Sequence, residues 1–203
     1  MDAITPKNKT EDKSKNGVTR EEAEEAVKTL IKWIGDDPNR EGLKDTPKRV
    51  INAYNEFFSG YNESPEKILS KTFDDVNGYK DIVMLKDITL HSHCEHHMVP
   101  IIGKVHLAYL PIKRVVGISK LARVVDIFAK RLQTQETMTQ QIGETIQKSL
   151  DAKGVAIYVE ALHQCMTTRG VKKEGVSTIT TCFLGEFKNN EKMENKFLNF
   201  IKS

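Results

Sequence analysis

Eight consecutive residues concentrate much of the chain's capacity to bind a metal ion. The segment 90–97 reads LHSHCEHH and holds four of the six histidines and one of the three cysteines. Within it, Cys94 and His97 have the short spacing of a metal-ligand pair, and Cys165 supplies a second thiol farther along the chain. Thiolate and imidazole ligands favour zinc over calcium or magnesium, which prefer oxygen. The sequence therefore predicts a zinc site formed by Cys94, His97 and Cys165.

The number of protein ligands decides what such a site can do. Three protein ligands leave a fourth position open, which is typical of a catalytic zinc and favours a zinc hydrolase. A predicted strand from Val155 to Cys165 puts His163 on the same face as Cys165, beside the metal. Histidine titrates near neutral pH, so His163 is a candidate proton shuttle. The alternative is a closed structural site whose fourth ligand is His163, His96 or His93.

The remaining cysteine and histidines have simpler interpretations. Cys182 lies in a strand-like segment with no histidine nearby, so we expect a small buried hydrophobic residue. His91 and His106 are predicted to be ordinary strand residues. None of the three is needed for the predicted metal site.

Two cations stand near the start of a helix predicted to begin at Ser119. Lys120 and Arg123 lie where the helix dipole disfavours positive charge. An anion bound at this helix N-terminus accounts for them, whereas the alternative is two solvated side chains on an exposed face. Arg169, four residues after Cys165, adds a cation close to the predicted metal site.

Gln135 and Glu136 begin the next predicted helix. A carboxylate there can accept hydrogen bonds from the Watson–Crick edge of guanine, and a glutamine can read a neighbouring group. The helix dipole also favours glutamate in a first turn without any ligand. On these residues alone, the simpler explanation is preferred.

The elements that must position these residues follow an α+β order. Periodicity and turn residues predict two helices, a hairpin, two helices and a second hairpin. We therefore expect an antiparallel sheet packed against helices. The predicted helices and strands fall at about 19–34, 45–60, 82–90, 104–110, 119–130, 134–150, 155–164 and 177–187.

Composition narrows the classes of function and the compartment. The chain has 203 residues, and its net charge of +3 is too small to argue for nucleic-acid binding. Three cysteines do not make a disulfide framework, and thiolates intended for zinc must stay reduced. No signal peptide or apolar run of roughly 20 residues is visible. We expect a cytoplasmic protein without nucleic-acid or membrane partners.

Several segments in unbroken order, covering about residues 19–200, resemble GTP cyclohydrolase I. Their number and order make the resemblance specific. The segments are 41–50 (EGLKDTPKRV), 94–97 (CEHH), 103–109 (GKVHLAY), 117–123 (GISKLAR), 131–141 (RLQTQETMTQQ), 160–170 (EALHQCMTTRG) and 177–181 (STITT).

The resemblance implies an architecture. It implies the tunnelling fold, or T-fold, in which antiparallel sheets from several subunits close into a barrel with helices outside. It further implies a homodecamer with active sites between subunits. We therefore divide the chain into a disordered polar tail at 1–18, an N-terminal helical segment at 19–62 and a T-fold catalytic domain at 63–203.

The resemblance also implies a reaction and residue roles. The reaction is zinc-dependent hydrolysis of GTP to 7,8-dihydroneopterin triphosphate and formate, the first step of tetrahydrofolate and pterin biosynthesis, with one zinc ion per subunit. The implied roles are zinc ligation by Cys94, His97 and Cys165, acid–base chemistry by His163 and ribose opening by His96. Substrate binding is implied for Ser119, triphosphate binding for Lys120, Arg123, Arg169 and a neighbouring subunit's Arg49, and guanine recognition for Gln135 and Glu136.

Two other classes of function remain open at this point. A related T-fold enzyme acting on a pterin or deazapurine has less need of a triphosphate clamp. A nonenzymatic, zinc-stabilised nucleotide-binding scaffold needs the three metal ligands but not His163. Release of formate and a fluorescent pterin from GTP distinguishes these classes.

Overall fold

The computed structural model describes residues 17–73 and 79–203. The described residues form two compact units, which divide between Glu56 and Phe57. Most of the predicted tail at 1–18 lies outside the described residues, and the predicted boundary between 62 and 63 stays a prediction. Within the described ranges, no helix is both long and apolar enough to cross a membrane.

The first unit contains α1 (Arg20–Trp33), a short 3₁₀ helix (Glu41–Leu43) and most of α2 (Thr46–Phe57). Thr19 is the N-cap of α1. The Glu22 backbone N–H donates to Thr19 Oγ1 at 3.2 Å, and the Thr19 N–H donates to Glu22 Oε2 at 2.7 Å. This reciprocal pair satisfies two of the backbone donors that a helix start leaves free.

The second unit contains the sheet and the remaining helices. Its elements, after a 3₁₀ turn at Ser59–Asn62, are α3 (Pro65–Leu69), β1 (Thr72–Phe73), β2 (Val83–Cys94), β3 (Pro100–Leu110), β4 (Val115–Val116), α4 (Ile118–Ala129), β5 (Leu132–Gln133), α5 (Gln135–Leu150), β6 (Gly154–His163), α6 (Gln164–Thr167), β7 (Ser177–Gly185), α7 (Glu186–Asn189) and α8 (Glu191–Lys202).

Five strands form the main sheet in the order β5-β2-β3-β6-β7. The pairs β2–β3, β3–β6 and β6–β7 are antiparallel, as predicted, whereas β2 and β5 run parallel. The α+β class is confirmed, and the expectation of a wholly antiparallel sheet was wrong at this edge. The parallel pairing joins Cys94 to Gln133, so it lies directly at the predicted metal site.

Alternation along the strands separates two apolar clusters. Val105 and Leu107 point from β3 into the cluster that contains buried residues of α4 and α5. Ala108 packs on the other side with Phe187 of α7 and Phe197 of α8. Burial on both faces fixes the register of the central strands, because a slip of one residue would exchange the two faces. The strand ends that carry the site residues are therefore held in place.

Candidate metal centre and nucleotide site

A tight turn after β2 holds the first two predicted ligands. Met98 adopts a left-handed backbone conformation, with φ of 55°, and its N–H donates to the Cys94 carbonyl at 2.8 Å. The Glu95 N–H donates to the Gln133 carbonyl at 3.1 Å, which ties the turn to β5. Cys94 is buried, and its Sγ lies 3.9 Å from His97 Nδ1.

The third predicted ligand lies in a helical turn. β6 ends at His163, and Cys165 belongs to the four-residue helix α6 that follows. The prediction of one strand from Val155 to Cys165 was therefore wrong, because the backbone closes into a helix: the Thr168 N–H donates to the Gln164 carbonyl at 2.9 Å. His163 and Cys165 consequently do not share a strand face.

The turn nevertheless brings the three predicted ligands together. The ligand atoms of Cys94, His97 and Cys165 all lie within 4.8 Å of one another. Zinc bonds of about 2.3 Å to sulfur and 2.0–2.1 Å to nitrogen separate tetrahedral ligand atoms by about 3.5–3.8 Å. A small contraction therefore suffices, and the donor set of two thiols and one imidazole fits a transition metal such as zinc.

Three other histidines were open as a fourth ligand, and His163 is not among the mutually close ligand atoms of the group. His96 Nδ1 lies 3.8 Å from Cys94 Sγ, but His96 is exposed and stands outside the group of mutually close ligand atoms. His93 is buried against the rings of Phe57 and Phe58, whose centroids lie 4.7 and 5.3 Å from its own. The described ligand group therefore has three members.

Burial and a neighbouring guanidinium both act on the Cys165 thiol. Burial, and next the neighbouring Cys94 thiol, raise the pKa of Cys165, whereas Arg169 opposes that rise. Metal binding requires the thiolate form, and a bound cation stabilises that thiolate and so lowers the pKa of Cys165 again. Arg169 Nη1 also donates a hydrogen bond to His97 Nε2 at 2.8 Å, which brings one predicted phosphate-binding cation to the metal group.

His163 is held by a buried amide. Its Nε2 lies 2.8 Å from Oε1 of Gln135, which is fully buried at the start of α5. Burial lowers the pKa of His163, and the nearby Glu136 carboxylate opposes that shift. The neutral imidazole is therefore favoured near neutral pH.

The other predicted nucleotide-binding residues lie at helix starts. α4 begins at Ile118 without a side-chain cap, and the Lys120 N–H in its first turn donates to the Gly117 carbonyl at 2.9 Å. Ser119 and Arg123 are exposed on it, and Lys120 Nζ donates to the Lys71 carbonyl at 2.5 Å. Glu136 is exposed in the first turn of α5.

Arg49 belongs to the first unit, where its guanidinium lies 3.5 Å from Asp45 in an exposed pair. Its predicted role in a neighbouring subunit stays a prediction. The residues assigned no role behave as expected: Cys182 is buried in β7, and His91 and His106 lie in β2 and β3.

Three threonines at this site were missed by sequence reasoning. The Gln135 side-chain amide donates to the Thr178 carbonyl and to Thr180 Oγ1, and Thr139 Oγ1 contacts Thr180 Oγ1 and the Gln135 main-chain carbonyl. The alternating STITT segment signalled that Thr178 and Thr180 share a strand face. The spacing from Gln135 to Thr139 likewise placed both on one face of α5.

Comparison with known proteins identifies the family. The family model described as GTP cyclohydrolase I matches residues 23–202. The chain belongs to the GTP cyclohydrolase I family. This confirms the resemblance inferred from the sequence motifs.

Relatives within the GTP cyclohydrolase I family match nearly the whole chain. The protein is similar to GTP cyclohydrolase 1 of Hyphomonas neptunium, with 61% identity over 200 residues, covering 98% of this chain and 97% of the relative. The Maricaulis maris relative is 58% identical over 203 residues, covering 100% and 99%. That of Pelagibacter ubique is 59% identical over 184 residues, covering 91% of each.

Proposed function

We propose that the protein is a zinc-dependent GTP cyclohydrolase I, which converts GTP and water to 7,8-dihydroneopterin triphosphate and formate at the start of tetrahydrofolate and pterin biosynthesis. Family membership and 58–61% identity to relatives of that name support the substrate and the reaction. The structural observation that carries the proposal is the convergence of Cys94, His97 and Cys165, with His163 two residues before the last of them.

Cys94, His97 and Cys165 would hold one zinc ion per subunit. Their ligand atoms need only a small contraction to reach tetrahedral spacing. When bound, zinc is a Lewis acid that makes an attacking water acidic near neutral pH. The closeness of Arg169 to His97 links this group to the predicted phosphate-binding residues.

His163 moves the proton in this proposal. Neutral His163 takes a proton from the water whose oxygen adds to C8 of the purine and delivers it to N7, so that the imidazole ring opens to a formamide. A second water then hydrolyses the formamide, and C8 leaves as formate. A lowered pKa keeps a neutral fraction of His163 available to collect a proton before each delivery. His96, exposed on the turn after β2, is assigned to opening of the ribose ring.

Lys120, Arg123 and Arg169 are assigned to the triphosphate, and Ser119 is assigned to substrate binding. In the described structure Lys120 donates a hydrogen bond to the Lys71 carbonyl. A phosphate oxygen can take the place of this carbonyl and accept a charge-assisted hydrogen bond from Lys120. Glu136 is assigned to the guanine edge because its carboxylate is exposed next to the Gln135–His163 pair. Gln135, predicted to read guanine with it, has all its described side-chain partners inside the protein.

We further propose a T-fold barrel built by several subunits, in a cytoplasmic homodecamer. β7 stands at one end of the strand order, and an unpaired strand edge favours pairing with another chain. Trp33 and Ile34 at the end of α1 are 82% and 70% exposed, which supports burial in an assembly.

Subunit mixing tests the predicted contribution of Arg49 to a neighbour's site. Arg49→Ala and His163→Ala subunits, each nearly inactive alone, should regain partial turnover after dissociation and joint reassembly. Some interfaces then pair an intact arginine with an intact histidine. A mixture that recovers nothing despite proven subunit exchange contradicts the shared site.

Incubation with GTP tests the reaction itself. The zinc-loaded protein should release formate and a pterin that becomes fluorescent after oxidation. His163→Ala should lower kcat by about 10²- to 10⁴-fold, the usual contribution of a general acid–base residue. His91→Ala, which removes an exposed histidine of β2, is the matched control and should keep its activity. Absence of formate from the zinc-loaded wild type refutes the proposal.

A further inference from the structure

The Gln135 side chain is enclosed by protein groups at both ends of its amide. Gln135 is 0% exposed although it begins α5. Its Oε1 lies 2.8 Å from His163 Nε2. Its Nε2 donates towards three oxygens, which are the Thr178 carbonyl at 3.0 Å, Thr180 Oγ1 at 3.1 Å and the Val159 carbonyl at 3.3 Å.

These neighbours fix the direction of the amide. Interchanging its oxygen and nitrogen would set Oε1 against the Thr178 and Val159 carbonyl oxygens, which have no hydrogen to donate. Buried polar groups left without hydrogen-bond partners destabilise the folded protein. The orientation with Oε1 towards His163 is therefore strongly preferred.

Two threonine hydroxyls support the same orientation. Thr139 Oγ1 donates to the main-chain carbonyl of Gln135 at 2.7 Å, and it also lies 2.7 Å from Thr180 Oγ1. Because the single Thr139 hydroxyl proton is already used, Thr180 donates to Thr139. The Thr180 oxygen then remains an acceptor for the Gln135 amide N–H, as its distance requires.

An amide oxygen can only accept a hydrogen bond, so the imidazole nitrogen facing it must carry a hydrogen. In a neutral ring the other nitrogen then has the lone pair. We propose that Gln135 is a positioning residue that holds neutral His163 in the Nε2–H form and directs Nδ1 to the substrate. The catalytic consequence rests on the proposed function, whereas the hydrogen position does not.

This role differs from guanine recognition in what it predicts. A residue that binds guanine contributes to holding GTP, so its loss raises KM. A residue that fixes the imidazole acts on the proton-transfer step, so its loss lowers kcat. Hydrogen-bond partners of metal-ligating histidines typically contribute about 10- to 100-fold to metal affinity or activity, and we expect an effect of that order for the partner of His163.

Solid-state ¹⁵N NMR reads the hydrogen position directly. Zinc-loaded protein labelled with ¹⁵N-histidine should be measured at about pH 8.5, above the ordinary histidine pKa of about 6.5. The His163 signals, assigned by their loss in His163→Asn, should show a protonated Nε2 and an unprotonated Nδ1. A wild-type spectrum with the hydrogen on Nδ1 overturns the proposal without requiring any Gln135 variant to fold.

Kinetics supply the second measurement. Gln135→Met keeps the side-chain length but removes the acceptor, and we expect kcat to fall about 10- to 100-fold with KM for GTP within about twofold. The Gln135→Met spectrum should show both hydrogen positions. Unchanged kcat, or a raised KM at unchanged kcat, overturns the positioning role.

Thr139→Val is the matched control for the loss of a buried hydrogen bond. It removes a hydroxyl from the same network but leaves the amide its Thr178 and Val159 carbonyl partners. It should lower thermal stability without moving the ¹⁵N signals of His163, and a shift equal to that of Gln135→Met refutes a specific role for Gln135. If wild type releases no formate from GTP, the proposed function fails while the spectrum still decides the hydrogen position.

Discussion

Close packing between α5 and β7 allows a sharp test of how the site is supported. A Cβ added at Gly143 of α5 would lie 2.7 Å from Cys182 Sγ, and 3.5 Å from both Cys182 Cβ and Ile157 Cγ1. Favourable nonbonded contacts between carbon atoms begin at about 3.5–4.0 Å, so the contact with sulfur is about 1 Å too short. Cys182 is 4% exposed, and its neighbours leave it little room to move.

The expected cost of Gly143→Ala combines two opposing effects. Overpacking a buried site costs about 1–3 kcal/mol. Alanine gains about 0.8–1.0 kcal/mol over glycine inside a helix. We therefore expect the free energy of unfolding to fall by about 1 kcal/mol, which corresponds to a fall in Tm of about 2–4 °C for a protein of this size.

Removing the Cys182 sulfur atom should relieve the crowding that Gly143→Ala introduces. Cys182→Ala alone leaves a small void and should cost about 1 kcal/mol. In the double variant the methyl group introduced by Gly143→Ala occupies that void, so its stability should lie near that of wild type. The two substitutions should thus depart from additivity by about 2 kcal/mol, or about 4–8 °C in Tm.

Alanine is the appropriate probe at this position. Burial raises the pKa of Cys182 to about 11, so the thiol is neutral near pH 7, and serine would bury a stronger hydrogen-bonding group instead. Calorimetry of the four proteins at one concentration provides the measurement. Tm shifts that simply add would refute the packing argument.

The kcat of the four proteins should follow the same pattern as their stability. Gln135 precedes Gly143 by eight residues in α5, which is about 12 Å along the helix. A displacement of α5 away from β7 moves the amide that contacts His163. The kcat should therefore fall in Gly143→Ala and recover in the double variant.

Three further substitutions test the proposed site. Cys165→Ser should abolish zinc retention in dialysed protein, measured by metal analysis, because a neutral hydroxyl replaces a thiolate ligand. Lys120→Ala should weaken binding of GTP far more than that of guanosine in calorimetric titrations, because its charge acts on phosphate. Glu136→Gln should reduce the preference for GTP over ITP in kcat/KM, because an acceptor oxygen becomes a donor amide.

Each of these predictions has its own contradicting result. Full zinc occupancy with normal turnover in Cys165→Ser would remove the proposed ligand set. Equal losses for GTP and guanosine in Lys120→Ala would show that the lysine supports the protein structure, as its bond to the Lys71 carbonyl permits. Unchanged selectivity in Glu136→Gln would leave only the favourable helix-dipole position of that carboxylate.

Local spacing predicted the parts of the site that are close in sequence. Cys94 and His97 lie in one turn, so their residue types and separation sufficed. Cys165 was predicted as a ligand but placed on the wrong element, because strand alternation was extended two residues beyond His163. A short helical turn after a strand has little periodicity of its own, so the pattern did not reveal it.

Contacts between distant segments were harder to predict. The parallel pairing of β5 involves only Leu132 and Gln133, too few residues for any alternation to be visible. The helix α8 had a usable signal that was overlooked, namely Asn190 as an N-cap and an apolar face that includes Phe197. The contact between Gln135 and His163 joins residues 28 apart, and only the packing of α5 on the sheet reveals it.

The connection between α4 and α5 has a consequence for insertions and deletions. Gln133, buried within it, accepts the Glu95 N–H through its carbonyl and donates to the Phe128 carbonyl and to Gln141 through its amide. Connections between helices usually tolerate changes of length because they lie on the surface. Here one added residue would shift either the partner of Glu95 or both side-chain contacts. We therefore expect the number of residues between α4 and α5 to be as restricted as the identity of Cys94 in the neighbouring turn.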